Sequence, residues 1–375
     1  MAGIYLHIPF CKQKCNYCNF HFSTSQKLRN DVLQAMLLEL DMQQNYLQGD
    51  AIETIYFGGG TPSLLQADEL NIIFEKIFQL FPKIDLKECT LEANPDDLST
   101  VFLKNLQATP INRLSIGVQS FRDDDLSYMN RAHNAMQVDY AIKAAQDTGF
   151  INLTIDLIFG VPEMNDEQWL QNLSQLQTYH IPHFSSYALT VEERTALHHA
   201  IKKQKAKAVN EEQSAKQFEL LISFAAANGY EQYEISNFAL PNHYAVHNTN
   251  YWKGISYLGI GPSAHSFNGN NRQWNIANNA LYVQSILNNK VLPFEEEILS
   301  PPQKLNEYIM TSLRTMWGCD FKKIEVDFGN EVAQKIIADA DIFMQKGWSF
   351  MDKQKLFLTK EGKLFADRIA SDLFQ

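Results

Sequence analysis

Short apolar segments alternate with longer amphipathic ones over the first half of the chain. The short segments, between residues 4 and 190, are IYLHI, TIYFGG, CTLEAN, RLSIGVQ, LTIDLIFG and HFSSYALT. Stretches such as VLQAMLLELDMQQNYL and ELNIIFEKIFQLF separate them and have the apolar spacing of helices. Strands that are almost continuously apolar are typical of parallel sheets covered on both faces. The alternation therefore predicts an α/β protein built on a partial parallel (β/α)6 barrel.

The pattern changes near residue 191. A charged helical stretch that includes KKQKAKA extends to about residue 227, and a region rich in Gly, Asn and aromatic residues follows. The ending FLTKEGKLFADRIASDLF resembles the wing and last helix of a winged-helix domain. We therefore predict a core domain at 1–235, a connecting region at 236–292, and a small, mostly helical, winged-helix-like lobe at 293–375.

Composition and charge narrow the functional classes. The chain has 375 residues and a formal charge of −11, whereas a nucleic-acid-binding protein needs a basic surface. The C-terminal lobe, from residue 300 on, balances eleven Lys and Arg against eleven Asp and Glu, so we expect no nucleic-acid partner there either. No stretch of eighteen apolar residues and no secretory leader pattern is present. We expect a cytoplasmic protein without a transmembrane segment.

Three of the five cysteines fall within eight residues, as Cys11-x3-Cys15-x2-Cys18. This clustering argues against a disulfide framework and favours metal or redox use. Three thiolates on one loop can hold a [4Fe–4S] cluster and leave one iron open. A structural zinc is the alternative, although such sites usually have four ligands, and His21 is the only nearby residue that could be the fourth.

Glycines and polar residues recur at the ends of the predicted strands. Gly58-Gly59-Gly60-Thr61-Pro62 follows the second strand, and glycines there let a backbone approach a ligand closely. In parallel βα barrels the ligand site lies at the carboxyl ends of the strands. Each such residue alone has a structural explanation, such as helix capping. Together they predict a binding site, with further members from strands three to five: Glu92, Asn94, Gln119, Asp156 and Gly160.

The cysteine motif, followed by GGGTP, LEANPD, IGVQSF, NRAH and IDLIFGVP, resembles the radical S-adenosylmethionine (SAM) superfamily, in its coproporphyrinogen III oxidase-like branch. The resemblance runs from residue 4 to the C-terminus. It implies a [4Fe–4S] cluster on the three cysteines, and it implies that an electron donor serves the site. It also implies a SAM pocket lined by Tyr5, Tyr17, Gly59, Gly60, Thr61, Glu92, Gln119, Arg131, Asp156 and Ala188.

Within this branch, two functions compete. One is oxygen-independent oxidative decarboxylation of coproporphyrinogen III, and the other is heme transport by a chaperone. The oxidase pattern has a further cysteine where this chain has Phe20, and it has a long N-terminal extension where only ten residues precede Cys11. Both features favour the heme chaperone, which would pass heme to an acceptor protein and to which no catalytic residue is assigned. A zinc-stabilised binding protein is a third hypothesis.

A third feature is the HNTNYW segment, which matches the HNxxYW motif of the heme-chaperone group. Imidazole is a common ligand of heme iron, and Tyr and Trp offer flat faces to a porphyrin. A lone His near aromatic residues is more often simply packed in the interior. His265 is a second candidate, which by its family position contacts SAM instead. The predicted heme-binding residues are His247, Asn248, Tyr251 and Trp252.

Overall fold

The structure is a computed structural model that describes residues 1–375. Six parallel strands lie side by side in chain order, and each strand pairs with the next, with register shifts in three of the five pairings. The predicted partial barrel is therefore confirmed. Its strands are β1 (Ala2–Ile8), β2 (Ile52–Gly59), β3 (Ile84–Ala93), β4 (Arg113–Gln119), β5 (Leu153–Phe159) and β6 (His183–Ala188).

Helices connect these strands and cover the outside of the sheet. Asn134 and Asn165 begin two of them as capping boxes with a glutamine three residues later, which satisfies free backbone N–H groups. The apolar stripes of the helices are buried against the strands in one core of 60 residues. The helices are α1 (Arg29–Gln43), α2 (Ala67–Leu80), α3 (Thr100–Leu106), α4 (Asp123–Tyr128), α5 (Ala135–Asp147) and α6 (Asp166–Thr178).

The sheet extends beyond both ends of the six predicted strands, to twelve in all. Two short antiparallel strands follow β6, and a strand parallel to β1 begins an extension on the other side. Residues 236–292 contribute four of the added strands. They are β7 (Glu231–Glu234), β8 (Asn237–Ala239), β9 (Ser256–Ile260), β10 (His265–Phe267), β11 (Asn271–Asn275) and β12 (Phe294–Ile298).

Four further helices belong to this part of the chain. The first two confirm part of the helical stretch expected up to residue 227, but the KKQKAKA segment is a largely exposed connector between them rather than helix. The third helix carries the HNTNYW segment. The four helices are α7 (Ala196–Lys202), α8 (Glu211–Ala227), α9 (Val246–Trp252) and α10 (Asn279–Val283), the last of which continues into a π-helical turn at Gln284–Asn288.

The C-terminal lobe has a hydrophobic core of its own, with 16 buried residues. Its three strands pair antiparallel against helices, as expected for a winged-helix-like lobe. None of the protein's helices combines the length and apolar character needed to cross a membrane. The elements of the lobe are α11 (Pro301–Leu313), β13 (Cys319–Asp320), α12 (Phe321–Phe328), α13 (Asn330–Gln345), β14 (Ser349–Asp352), β15 (Lys355–Leu358) and α14 (Ala366–Asp372).

A buried carboxylate holds the start of α9. The backbone N–H groups of Val246 and His247 donate to the two oxygens of Glu88 at 2.7 and 3.0 Å. Glu88 also accepts a hydrogen bond from Arg113 at 3.1 Å, and both side chains are only 3% exposed. The carboxylate thus satisfies free helix N–H groups and pairs with a cation at the same time.

The hydrogen-bond network continues from Arg113 across the strands and returns to α9. Arg113 donates to Thr154, whose Oγ1 lies 3.0 Å from Nδ1 of His183. The other His183 nitrogen lies 2.8 Å from the hydroxyl of Tyr233, which also accepts from Asn248 at 3.2 Å. Burial lowers the pKa of His183 well below its usual value, so the ring is neutral in this network. Hydrogen bonds therefore fix α9 to the sheet in two places, at its start through Glu88 and within the helix through Asn248.

Replacing Arg113 by Met should strongly destabilise the fold. Glu88 would keep its charge in the interior without its cation, and breaking a buried ion pair costs about 3–5 kcal/mol. The free energy of unfolding from urea titration measures this loss. Arg368→Met is the matched control, because Arg368 forms an exposed pair with Asp372, and its removal should change stability by about 0.5 kcal/mol or less. Equal effects of the two substitutions would contradict the role given to Arg113.

Candidate functional site

The three clustered cysteines lie on one loop directly after β1. The backbone N–H of Cys11 donates to the carbonyl of Ser23 at 3.0 Å, and that of Cys18 donates to Cys15 at 3.4 Å, which fixes the curvature of the loop. All three thiols are free and only partly buried. The loop therefore presents three sulfur ligands from one short segment, as a cluster with one open iron requires.

Arg131 connects this loop to the strand ends. Its guanidinium lies 3.2 Å from Sγ of Cys15 and 3.4 Å from the hydroxyl of Tyr17. It also donates to the side chain of Asn94 at 2.6 Å and to the carbonyl of Gly117 at 2.8 Å. Nε of Arg131 is buried without a partner. The structure thus places a cation against the sulfur ligands and leaves one of its donors without a partner.

The surroundings of the loop bear on the choice between an iron–sulfur cluster and zinc. A structural zinc would need a fourth ligand beside the three cysteines, and His21 was the candidate for it. His21 instead bonds the side chain of Asn279 at 2.7 Å. Burial raises the pKa of the Cys11 thiol to about 11, so metal must displace its proton. Arg131 supplies the positive charge that favours thiolate.

Two carboxyl groups lie inside the barrel near the strand ends. Glu92 accepts from the hydroxyl of Tyr56 at 2.8 Å and from the backbone N–H of Gly59 at 3.2 Å. Gly59 has a φ of +104°, which glycine adopts without strain. Burial raises the pKa of Glu92 to about 7 and that of Asp156 to about 6. These two carboxyl groups therefore change charge near neutral pH, where a cationic or hydroxyl-bearing ligand would favour their ionised forms.

Most of the remaining predicted SAM residues are at the carboxyl ends of strands or in the loops that follow them, whereas Tyr5 is in the middle of β1 and Arg131 lies between α4 and α5. Thr61 accepts from the Asn94 amide at 3.2 Å, and the N–H of Gly60 donates to Ile8 at 2.9 Å. Gln119 ends β4 with a φ of +69°, a conformation that is rare for a residue with a side chain. Ala188 ends β6 and is exposed. The sequence prediction thus selected residues that share one end of the barrel.

A large cavity opens beside this site. Its volume is about 1160 Å³, above the ~300–1,000 Å³ that is usual for small-molecule sites. Its wall combines residues of the barrel with residues of the C-terminal lobe, such as Tyr308 and Trp317. The predicted site residues that line it are Tyr5, Gly59, Glu92, Tyr251, Trp252 and His265.

His247 and Asn248 do not line the cavity. His247 is 2% exposed, and both ring nitrogens have partners: Nδ1 lies 2.7 Å from Oγ1 of Thr54, and Nε2 lies 2.8 Å from the hydroxyl of Tyr251. Its ring also stacks on Tyr56, with 5.1 Å between centroids. Burial lowers the pKa of His247 to about 3, so the imidazole is neutral. The structure brings the helix to the site, with Tyr251 and Trp252 as the residues that reach the cavity.

Sequence reasoning missed several residues that organise the site. Thr54 is hydrogen-bonded to His247, and Tyr56 is hydrogen-bonded to Glu92. Glu88 accepts hydrogen bonds from the start of α9. Thr54, Tyr56 and Gly58 are two residues apart on β2 and so share its inner face. The alternation of polar residues within an otherwise apolar strand was the signal that could have identified them.

A partial barrel with a loop of three cysteines after its first strand defines a radical SAM protein. Residues 5–176 match the radical SAM superfamily. The chain is 31% identical to the heme chaperone HemW of Bacillus subtilis over 373 residues, which cover 98% of both chains. It is also 35% identical to HemW of Escherichia coli K12 over 70% of this chain and 69% of that one. The chain belongs to the HemW family of heme chaperones.

A solved structure extends the likeness to the fold of the whole chain. Coproporphyrinogen III oxidase (HemN) from Escherichia coli, described as a radical SAM enzyme, superposes with a TM-score of 0.84. The match covers 100% of this chain and 90% of that one, at 21% sequence identity. The C-terminal lobe therefore belongs to the shared architecture.

The raised pKa of Glu92 predicts how stability changes with pH in the ligand-free protein. Between about pH 4.5 and 7 the folded chain keeps a proton on Glu92 that the unfolded chain releases, so stability falls as pH rises through this window. Glu92 should account for a fall of roughly 3 kcal/mol in the free energy of unfolding across this window, and Glu92→Gln should abolish that fall. Urea unfolding at pH 4.5, 6 and 7.5 measures it. An unchanged slope in the variant would assign the dependence to other buried carboxyl groups, such as Asp156.

Proposed function

We propose that this protein binds heme in the large cavity and passes it to an acceptor protein. One observation carries the proposal: Tyr251 and Trp252 of the HNTNYW segment share the cavity wall with Gly59 and Glu92 of the SAM pocket. The motif of the heme-chaperone group and the motifs of the radical SAM core therefore meet at one site. Full-length relatives named as heme chaperones support the same function.

The chemistry of the cavity suits heme. Heme is a flat apolar macrocycle with two carboxylates at one edge, so it needs aromatic faces and nearby cations. The indole N–H of Trp252 is buried without a partner, and the guanidinium of Arg314 lies 5.4 Å from the ring centre. Aromatic lining residues include Tyr251, Trp252, Phe267, Tyr308 and Trp317, and basic ones are Lys253, Arg272, Lys304, Lys323 and Lys355.

We propose that Cys11, Cys15 and Cys18 hold a [4Fe–4S] cluster, with Arg131 beside them. When bound, the cluster supplies electron transfer to SAM, from a donor protein that has yet to be identified. Glu92 and Asp156 are placed to accept hydrogen bonds from the ribose hydroxyls or the ammonium group of SAM, and the glycine backbone can contact the methionine part of SAM.

The remaining predicted residues have supporting roles. Asn248 positions α9 through its hydrogen bond to Tyr233. His265 lies at the cavity wall and is a candidate to bind either SAM or heme. We further propose that the protein acts in the cytoplasm, since all five cysteines are free.

Cluster binding can be tested by chemical analysis. Anaerobically reconstituted protein should contain about four irons and four sulfides per chain, and Cys15→Ala should lose most of both. Cys319→Ala is the matched control because Cys319 is a buried free thiol in the other lobe, and iron content should be unchanged. One zinc without sulfide in the wild type would contradict the cluster.

Heme binding can be tested by titrating the wild type with hemin. A saturable Soret band at one heme per chain is expected, and Trp252→Ala should weaken binding about 30-fold, since truncating a buried aromatic contact often costs about 2 kcal/mol or more. Trp348→Ala is the control, because Trp348 packs on Phe365 within the C-terminal lobe and does not line the cavity. Absence of saturable binding would contradict the proposed function.

An activity assay separates the chaperone from the oxidase. Coproporphyrinogen III, reductant and SAM should give no protoporphyrinogen under conditions where heme transfer to an apoprotein is measurable. Formation of protoporphyrinogen with multiple turnovers would instead support the oxidase.

A further inference from the structure

We infer that the hydroxyl of Tyr251 is the protein ligand of the heme iron and that His247 positions it. The inference rests on the proposed function and concerns which member of the HNTNYW segment reaches the metal. The two residues are one helical turn apart on α9, and their side chains are hydrogen-bonded at 2.8 Å.

The hydrogen bonds of His247 leave no nitrogen free for iron. A neutral imidazole has one N–H and one acceptor nitrogen, and both are used, by Thr54 at 2.7 Å and by Tyr251 at 2.8 Å. Ligation through either nitrogen would break one of these bonds in a buried site and leave its partner unsatisfied.

Close packing also keeps the imidazole from turning toward the cavity. A Cβ on Gly3 would lie 3.0 Å from Cε1 of His247 and 2.8 Å from Oγ1 of Thr54. Only a glycine lets the ring lie this close to β1, and the ring of Tyr56 stacks on it from the next strand. The imidazole is thus enclosed by β1 and β2.

Tyr251 lines the cavity, whereas His247 does not. The Tyr251 hydroxyl has His247 as its only hydrogen-bond partner. A hydroxyl oxygen has two lone pairs, so one remains for a metal. Phenolate oxygen is an established axial ligand of heme iron in proteins. The ring is held at its edge by Tyr257, with 4.5 Å between centroids.

The Tyr251 oxygen replaces water on ferric heme iron, an Fe–O bond forms, and the phenol O–H bond breaks. The released proton leaves to water in the cavity. His247 stays neutral and donates from Nε2 to the phenolate, while the Thr54 hydroxyl donates to Nδ1. This chain of donors orients the phenolate, as partners of metal ligands commonly do.

The test is resonance Raman and absorption spectroscopy of the hemin-loaded full chain. The wild type should show vibrational modes of an iron-bound phenolate that shift when the protein is labelled with ring-deuterated tyrosine. Tyr251→Phe should lose these modes, whereas Tyr251→His should replace them with the signature of a nitrogen ligand. His247→Gln should keep the phenolate modes and bind hemin roughly 10–100-fold more weakly.

Tyr244→Phe is the matched control. Tyr244 precedes α9 in the same segment, bonds Glu231 rather than His247 and does not line the cavity, so the phenolate modes should persist. Circular dichroism and iron content of each variant establish that it is folded. If Tyr251→Phe does not fold, the ligand change in Tyr251→His decides the question.

The outcomes separate this inference from the function it rests on. A wild type that binds no hemin contradicts the proposed function itself. A wild type that binds hemin with phenolate modes unchanged in Tyr251→Phe, or with nitrogen ligation that disappears in His247→Ala, overturns the inference and leaves heme binding intact.

Discussion

The carboxylate of Glu88 is buried at the start of a seven-residue helix, and the site depends on it. A helix this short is unstable by itself, so α9 keeps its shape only because Glu88 satisfies its first N–H groups and Arg113 balances the charge. From this fixed start the helix carries His247 to Thr54 and Tyr251 to the cavity. The network that continues through Thr154, His183 and Tyr233 is fully buried, where an unsatisfied member would be costly.

Much of the fold could be predicted because the six parallel strands are buried on both faces and their sequences are nearly continuous in apolar residues. The outer strands were missed for the opposite reason. β11 and β12, with sequences NRQWN and FEEEI, are polar and partly exposed, and short edge strands have no strong local signal. β9, in the connecting region, pairs with β1 at the start of the chain, and contacts so distant in sequence leave no trace in a local sequence window.

The site was predictable where chemistry is concentrated in motifs. The cysteines, Gly59 and Glu92 stand in recognisable segments, and the end of a parallel strand is where a barrel binds its ligand. The division of roles within HNTNYW could not be predicted, because it depends on Thr54, Gly3 and Tyr56 from two other strands. A histidine in a binding motif suggests a ligand by its residue type. Only its hydrogen-bond partners show that both of its ring nitrogens are already used.

The cavity wall combines residues of the barrel with residues of the C-terminal lobe, and these two parts have separate hydrophobic cores of 60 and 16 buried residues. A molecule that touches both walls is linked thermodynamically to the contact between the lobes. Its binding free energy adds to their association, by about 2.7 kcal/mol at a hundredfold excess over its dissociation constant. Loading therefore favours the arrangement in which the two lobes are in contact, and unloading removes that contribution. By the same linkage, separating the lobes lowers the affinity for a molecule bound in the cavity between them.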